Sequence, residues 1–235
     1  MPIRLVSYNI RKAVGLDQRW NPHRILDILN ELEPDIVVLQ EADRRLGPRP
    51  AALPRQLIEA ETDLRIADLA INDVSIGWHG NAILFRKGLK VLDTDRIELP
   101  SLEPRGAVLT RIGTGKGQSV TVIGAHLALL RQWRRRQLAA IRNHLSREET
   151  ENTVVAGDFN EWSVQRGFEP LSDEFTVVSP GRTFHSSLPR GQLDRIAHGA
   201  RIEPVAVGVA QSKLARRGSD HLPIWFDMTV HPDKG

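Results

Sequence analysis

The residues best able to do chemistry in this chain stand where short apolar runs begin or end. Asn9 follows Ile3 to Tyr8, Glu41 follows Asp35 to Leu39 by one residue, and His126 ends the run Ser119 to Ala125. Asp158 and Asn160 follow Thr153-Val154-Val155-Ala156-Gly157, Asp194 sits in Gln192-Leu193-Asp194-Arg195-Ile196, and Asp220-His221 opens the run from Leu222 to Met228. Carboxylates, amides and imidazoles placed beside a core are costly unless they pair or bind an ion. Their recurrence at strand ends implies that those ends converge on one site. A hard divalent cation takes oxygen ligands, usually one or two carboxylates plus water and substrate phosphate. It neutralises phosphate charge and stabilises an attacking or leaving oxygen. A histidine takes a proton or holds charge near neutral pH, and a carboxylate behind it fixes its ring. Asparagine and a second histidine add hydrogen bonds to phosphate oxygens. The chemistry these residue types suit is metal-assisted hydrolysis of a phosphate ester.

Elements able to position them are legible in the apolar patterning. The runs Ile3 to Tyr8, Asp35 to Leu39, Ala82 to Phe85, Ala107 to Ile112, Ser119 to Ala125, Thr153 to Ala156 and Leu222 to Met228 are short and rich in Val and Ile, as strands are. Ile36-Val37-Val38-Leu39 is continuous rather than alternating, which implies a sheet covered on both faces. Asn21-Pro22 predicts an N-cap and first helical position, with Ile25, Leu26, Ile28, Leu29 and Leu32 following at helical spacing. A second helix is expected from Arg131 to about Ser146, with Leu138, Ile141 and Leu145 as its apolar stripe. Gly47-Pro48-Arg49-Pro50 and Gly113-Thr114-Gly115-Lys116-Gly117 read as turns, the second closing a hairpin. Strands outnumber helices and several are joined by short turns. The expected fold is α+β: two mixed, mainly antiparallel sheets packed face to face with helices outside, in one domain over residues 1–235.

Composition bounds the function. The 235 residues are 40% hydrophobic and 26% charged, ordinary for a globular chain and too rich in core-formers for a disordered one. There is no cysteine, which excludes disulfides, zinc-thiolate sites, iron–sulfur clusters and thiol catalysis. No stretch approaches the roughly 20 apolar residues that span a bilayer, and the first strand begins almost at once, so a cytoplasmic protein is expected. A net charge of +3 suits a phosphate-bearing partner without identifying one. Arg131, Arg134, Arg135 and Arg136, with Trp133, read as a solvated helix face, and His79, after Trp78, as a surface-loop histidine.

Taken in order, Val6-Ser7-Tyr8-Asn9-Ile10, Val38-Leu39-Gln40-Glu41, Gly80-Asn81-Ala82-Ile83-Leu84, Gly124-Ala125-His126-Leu127, Gly157-Asp158-Phe159-Asn160, Leu193-Asp194-Arg195-Ile196 and Ser219-Asp220-His221 resemble the endonuclease/exonuclease/phosphatase superfamily. Each motif alone is weak, but the ordered set runs from the first strand to the last. The resemblance implies a pancreatic-DNase-like α/β/β/α four-layer sandwich. It implies Glu41 as the principal Mg²⁺ ligand, with Asn9 and Asp220 in the metal or water shell, and Mn²⁺ suiting the same oxygens. His221 is then the catalytic histidine, oriented by Asp194. Asp158 and Asn160 position or activate the water, and His126 contacts the phosphate. Arg105 and Asn81 are candidate substrate contacts. Whether Asp158 or His221 takes the water's proton stays open.

The same core serves nucleases, lipid phosphodiesterases, inositol-phosphate phosphatases and deadenylases in the superfamily, so substrate is not fixed by fold. Ile10-Arg11-Lys12 and Glu41-Ala42-Asp43 depart from the abasic-site branch and argue against DNA repair. The expectation is an Mg²⁺-dependent phosphodiesterase, with nucleic acid a candidate substrate and no obligate protein partner inferred. The alternatives are a phosphomonoesterase for a small metabolite or inositol phosphate, and, more remotely, an inactive binding module.

Overall fold

A computed structural model describes residues 2–44, 47–115 and 117–232, so Lys116 of the second expected turn lies outside the described residues. Twelve strands are seen there: β1 (Ile3–Asn9), β2 (Ile36–Gln40), β3 (Leu64–Ile66), β4 (Ala82–Arg86), β5 (Lys90–Leu99), β6 (Arg105–Gly115), β7 (Gln118–His126), β8 (Thr153–Asp158), β9 (Thr176–Val178), β10 (Asp194–His198), β11 (Ile202–Val209) and β12 (Ile224–Val230). The helices are α1 (Pro22–Leu32), α2 (Arg55–Glu61), α3 (Arg131–His144), α4 (Arg147–Glu151) and α5 (Ala215–Gly218). The strands form two six-stranded sheets, ordered β11-β12-β1-β2-β4-β3 and β5-β6-β7-β8-β10-β9. Each has one parallel pair at its centre, β1 with β2 and β7 with β8, among antiparallel neighbours.

Alternation along the strands builds the layers. In β2, Ile36 and Val38 face the inter-sheet core while Val37 and Leu39 face the layer that holds α1. All four are fully buried, each contributing about 1.5–3 kcal/mol relative to exposure. In β7, Val120 and Val122 join the inter-sheet core, whereas Ile123 and Ala125 pack toward Leu138 and Ile141 of α3. The result is the expected α/β/β/α sandwich. The sheets approach so closely at Gly124 that a Cβ there would lie 2.7 Å from Val38 Cγ1. Asn21 caps α1, its Oδ1 accepting from the Arg24 amide at 3.1 Å with Pro22 in the first turn. Among the described residues no helix is long and apolar enough to cross a membrane.

Candidate active site

Strand direction gathers the polar residues at one edge of both sheets. Because β1 and β2 are parallel, Asn9 lies beside Gln40 and Glu41. Because β12 is antiparallel to β1, the Ser219-Asp220-His221 segment before it arrives at the same end. In the second sheet His126 and Asp158 are in register on parallel strands, and Asp194 faces Asp158 across an antiparallel pair. Gly157, at φ 152°, brings β8 so near β7 that a Cβ would meet the Ala125 carbonyl oxygen at 1.8 Å, so the residue before Asp158 must be glycine.

Asp158 is where the two sheets meet chemically. Its Oδ2 accepts from Asn9 Nδ2 at 3.0 Å and lies 3.5 Å from both His126 Nε2 and His221 Nε2. Its Oδ1 accepts from the Asn160 amide at 2.9 Å, and Asn160 Nδ2 donates to the Leu127 carbonyl. Behind His221, Nδ1 is 2.9 Å from Asp194 Oδ2, which also accepts from the Thr183 hydroxyl. The Ser219 hydroxyl donates to the Asn9 carbonyl and receives the His221 amide, locking the last segment onto β1. Asp158, Asp194 and His221 are all buried, and their ligand atoms lie within 4.8 Å of one another.

The two histidines beside Asp158 are driven apart electrostatically. Burial pushes His126 down to about 4, against the pull of Asp158 and with a further push from Arg105. Burial also opposes charge on His221, but Asp194, Asp158 and Asp220 outweigh it and raise it to about 10. At neutral pH one ring is neutral and the other an imidazolium. A metal bound by His221 would need the ring deprotonated, so this buried trio suits holding a proton better than holding a cation.

Glu41, Asn9 and Asp220 come from adjacent strand ends of the first sheet and offer the hard oxygen donors that a divalent ion takes. The Glu41 carboxylate already carries a cation, the Lys12 ammonium. Arg11 Nε stands 3.6 Å from Asp220. Arg11, Lys12 and Ala13 all have left-handed φ, which folds this basic turn back over the two acids. Sequence reasoning treated Arg11 and Lys12 only as a departure from a branch pattern. Their position directly after Asn9 was the signal that they share its edge.

Beside Glu41 opens a cavity of about 320 Å³, lined by Lys12, Glu41, Asp43, Arg49, His79, Arg105 and His126 among others. Arg49 is braced by Asp43 at 3.1 Å and by His79 Nδ1 at 2.9 Å. Burial and the Arg49 charge push His79 below its ordinary value. The ring thus faces the cavity rather than sitting on a free surface loop. Arg105 lines the cavity too and donates to the His126 carbonyl at 3.1 Å. Asn81 is not among the lining residues: it is 1% exposed and donates to the Gly106 carbonyl at 2.8 Å, joining the sheets under the site.

The arginine cluster divides. Arg131, Arg135 and Arg136 are exposed as expected, but Arg134 is 5% exposed and pairs with buried Glu161 at 2.7 Å. It also donates to the Leu129 carbonyl, because the chain after His126 turns back over the start of α3. Arg195, fully buried, donates to the Glu161 and Ser163 carbonyls from beneath. These two arginines brace the loops that follow His126 and Asp158.

The chain is similar to known proteins in sequence and in fold. The uncharacterized protein YbhP of Escherichia coli (strain K12) is 28% identical over 241 residues, covering 94% of each chain. A structure of a functionally unknown conserved protein from Enterococcus faecalis V583 superposes with a TM-score of 0.79 at 19% identity, covering 97% of this chain and 100% of that one. That of D. rerio TDP2 complexed with single strand DNA product gives 0.71 at 19% identity, covering 97% and 99%. The model of the Endonuclease/Exonuclease/phosphatase family, whose members hydrolyse phosphoesters, matches residues 6–221, and the chain belongs to that family.

Proposed function

We propose that this protein is a divalent-metal-dependent phosphodiesterase. The observation that carries the reading is the convergence of Asn9, His126 and His221 on one oxygen of Asp158, with Asp194 held behind His221. Glu41, Asn9 and Asp220 would hold Mg²⁺, or Mn²⁺ with the same oxygens, and the ion would neutralise charge on the phosphate. At His221 the charges of Asp194 and Asp158 outweigh burial and raise it to about 10, which favours the protonated ring over the base form at neutral pH. Asp158 therefore takes the proton of the attacking water, oriented with help from Asn160. The water oxygen forms its bond to phosphorus as the ester oxygen leaves. His221 and neutral His126 donate hydrogen bonds where negative charge grows, and Arg105 steadies the phosphate from the cavity side.

The cations lining the cavity, Lys12, Arg49 and Arg105, favour a second reading, a phosphomonoesterase that grips a dianionic terminal phosphate. One assay separates the two: hydrolysis of bis(p-nitrophenyl) phosphate against p-nitrophenyl phosphate, with Mg²⁺ or with EDTA. The expected result is metal-dependent preference for the diester, lowered about 10³-fold in Asp158→Ala. Preference for the monoester would select the second reading. Diester hydrolysis that survives EDTA or the Asp158→Ala change would overturn both.

A further inference from the structure

Glu103 and Arg105 wall both the cationic cavity and a second depression of about 170 Å³, lined also by Leu102, Leu129, Leu130 and Trp133. Leu102 is 77% exposed, Leu129 74% and Leu130 54%. Single exposed leucines are ordinary on a protein surface, but several gathered in one groove at the mouth of a site mark a binding surface. The loops that carry them are firmly placed. Fully buried Gln137 of α3 accepts from the Ala128 amide at 2.8 Å and donates to the Pro100 carbonyl at 3.1 Å, so one side chain fixes both loops. Arg134 holds the Ala128 and Leu129 carbonyls from within. With the backbone held inward, the leucine side chains have nowhere to go but out.

Charge around the groove has one sign in excess. Arg105, Arg131, Arg134, Arg135 and Arg136 stand against Glu103, Glu161 and Glu169, five cations to three anions. Aliphatic side chains ringed by arginines suit a layer with an anionic surface and a hydrocarbon interior. They suit single-stranded nucleic acid less well, because bases stack on flat rings. Trp133, the aromatic ring in the groove, is already covered by Arg136 at 4.9 Å. Trp162, 62% exposed, contacts Phe184, whose ring centroid is 5.0 Å from that of His221.

We propose that the substrate is a phospholipid taken from an anionic bilayer, with its phosphate beside Glu41 and an acyl chain in the Leu102–Leu129–Leu130 groove. This rests on the phosphodiesterase reading above for the reaction and on the groove alone for the docking. The test is co-sedimentation of the protein with vesicles of equal phosphatidylglycerol and phosphatidylcholine, and with pure phosphatidylcholine. It is run on the wild type, Leu129→Gln/Leu130→Gln and Leu102→Gln. These side chains are mostly exposed, so the variants are expected to fold, and circular dichroism checks that they do.

The expected result is binding to the phosphatidylglycerol vesicles that weakens about tenfold or more in the double variant. Hydrolysis of vesicle lipid should fall by a similar factor, while hydrolysis of bis(p-nitrophenyl) phosphate stays within about twofold. Equal vesicle binding by wild type and variants overturns the proposal. So does loss of single-strand oligonucleotide binding in the variants without loss of vesicle binding. Asp158→Ala that still binds vesicles as the wild type does separates docking from reaction. If no diester is ever hydrolysed but the leucine variants lose vesicles, the function reading fails and the docking surface stands.

Discussion

The site has two unequal halves, one buried and one open. In the buried half, Asp158 and Asp194 of the second sheet meet His221, which comes from the segment before β12 of the first, and the three are locked together with side chains 2%, 1% and 6% exposed. In the open half, Glu41 and Asp220 keep 18% and 26% of their side chains exposed and lean on the cations of the Arg11–Lys12 turn. The difference is one of preorganisation. The buried half needs no ion to hold its geometry, because each carboxylate already has donors. The open half holds spare negative charge that a lysine and an arginine neutralise, as an incoming cation would. The chemistry of proton transfer is thus built in, while the electrostatics of the phosphate wait on a ligand.

The largest effect that would break this contrast is expected in the buried half. Asp158→Ala should lower diester hydrolysis about 10³-fold. It also leaves Asn9 Nδ2 and the Asn160 amide without their acceptor, which costs about 1–3 kcal/mol of stability. Thermal melting and the rate should therefore fall together. In the open half, Glu41→Ala should lower the rate about 10²-fold or more yet leave the metal-free melting temperature nearly unchanged. Its signature is the loss of the stabilisation that Mg²⁺ gives the wild type, about 2.7 kcal/mol at a hundred times the dissociation constant. If Glu41→Ala destabilises the metal-free protein as much as Asp158→Ala does, the two halves are not different in kind.

The same contrast explains what the sequence could reveal. Asn9, Glu41, His126, Asp158 and Asp220 were legible because each adjoins an apolar run that reads as a strand. Their convergence followed from the strand ends they mark. Lys12, Arg49 and His79 come from turns and long loops, where no periodicity records what they face. Arg134 looked solvated because its neighbours Arg131, Arg135 and Arg136 are; only the fold places Glu161 under it. In β5, along Lys90 to Leu99, just Ile97 and Leu99 are buried, since this edge strand leaves most of its length to solvent. β11 is similarly exposed although Val205, Ala206, Val207 and Val209 are apolar, so composition alone does not show which face it buries.

A smaller effect tests the charge on the buried half. His221 stands at about 10, above its unfolded value, so its contribution to stability is complete below about pH 6.5 and is lost as pH rises through 10. His126 behaves oppositely. Its value of about 4 means stability is present above about pH 6.5 and is lost as pH falls toward 4. Ring signals followed by NMR should show His221 protonated at pH 8 and His126 neutral at pH 5.5. Asp194→Asn removes a leading source of the upward shift and should bring the His221 midpoint down by about one unit or more. A midpoint that does not move would mean that Asp158 and Asp220 hold the proton without Asp194.

The smallest effect belongs to the lysine that stands on Glu41. Its side chain is 32% exposed, so solvent screens the pair and its loss should change metal-free stability by less than about 1 kcal/mol. An ion that binds Glu41 must first displace that ammonium. Lys12→Met keeps the stem and removes the charge, so Mn²⁺ affinity measured by calorimetry should tighten about two- to fivefold. The opposite outcome carries its own meaning. If affinity weakens in Lys12→Met, the lysine holds Glu41 in the geometry the ion needs. The open half would then be preorganised by a side-chain partner just as the buried half is by Asn9 and Asp194.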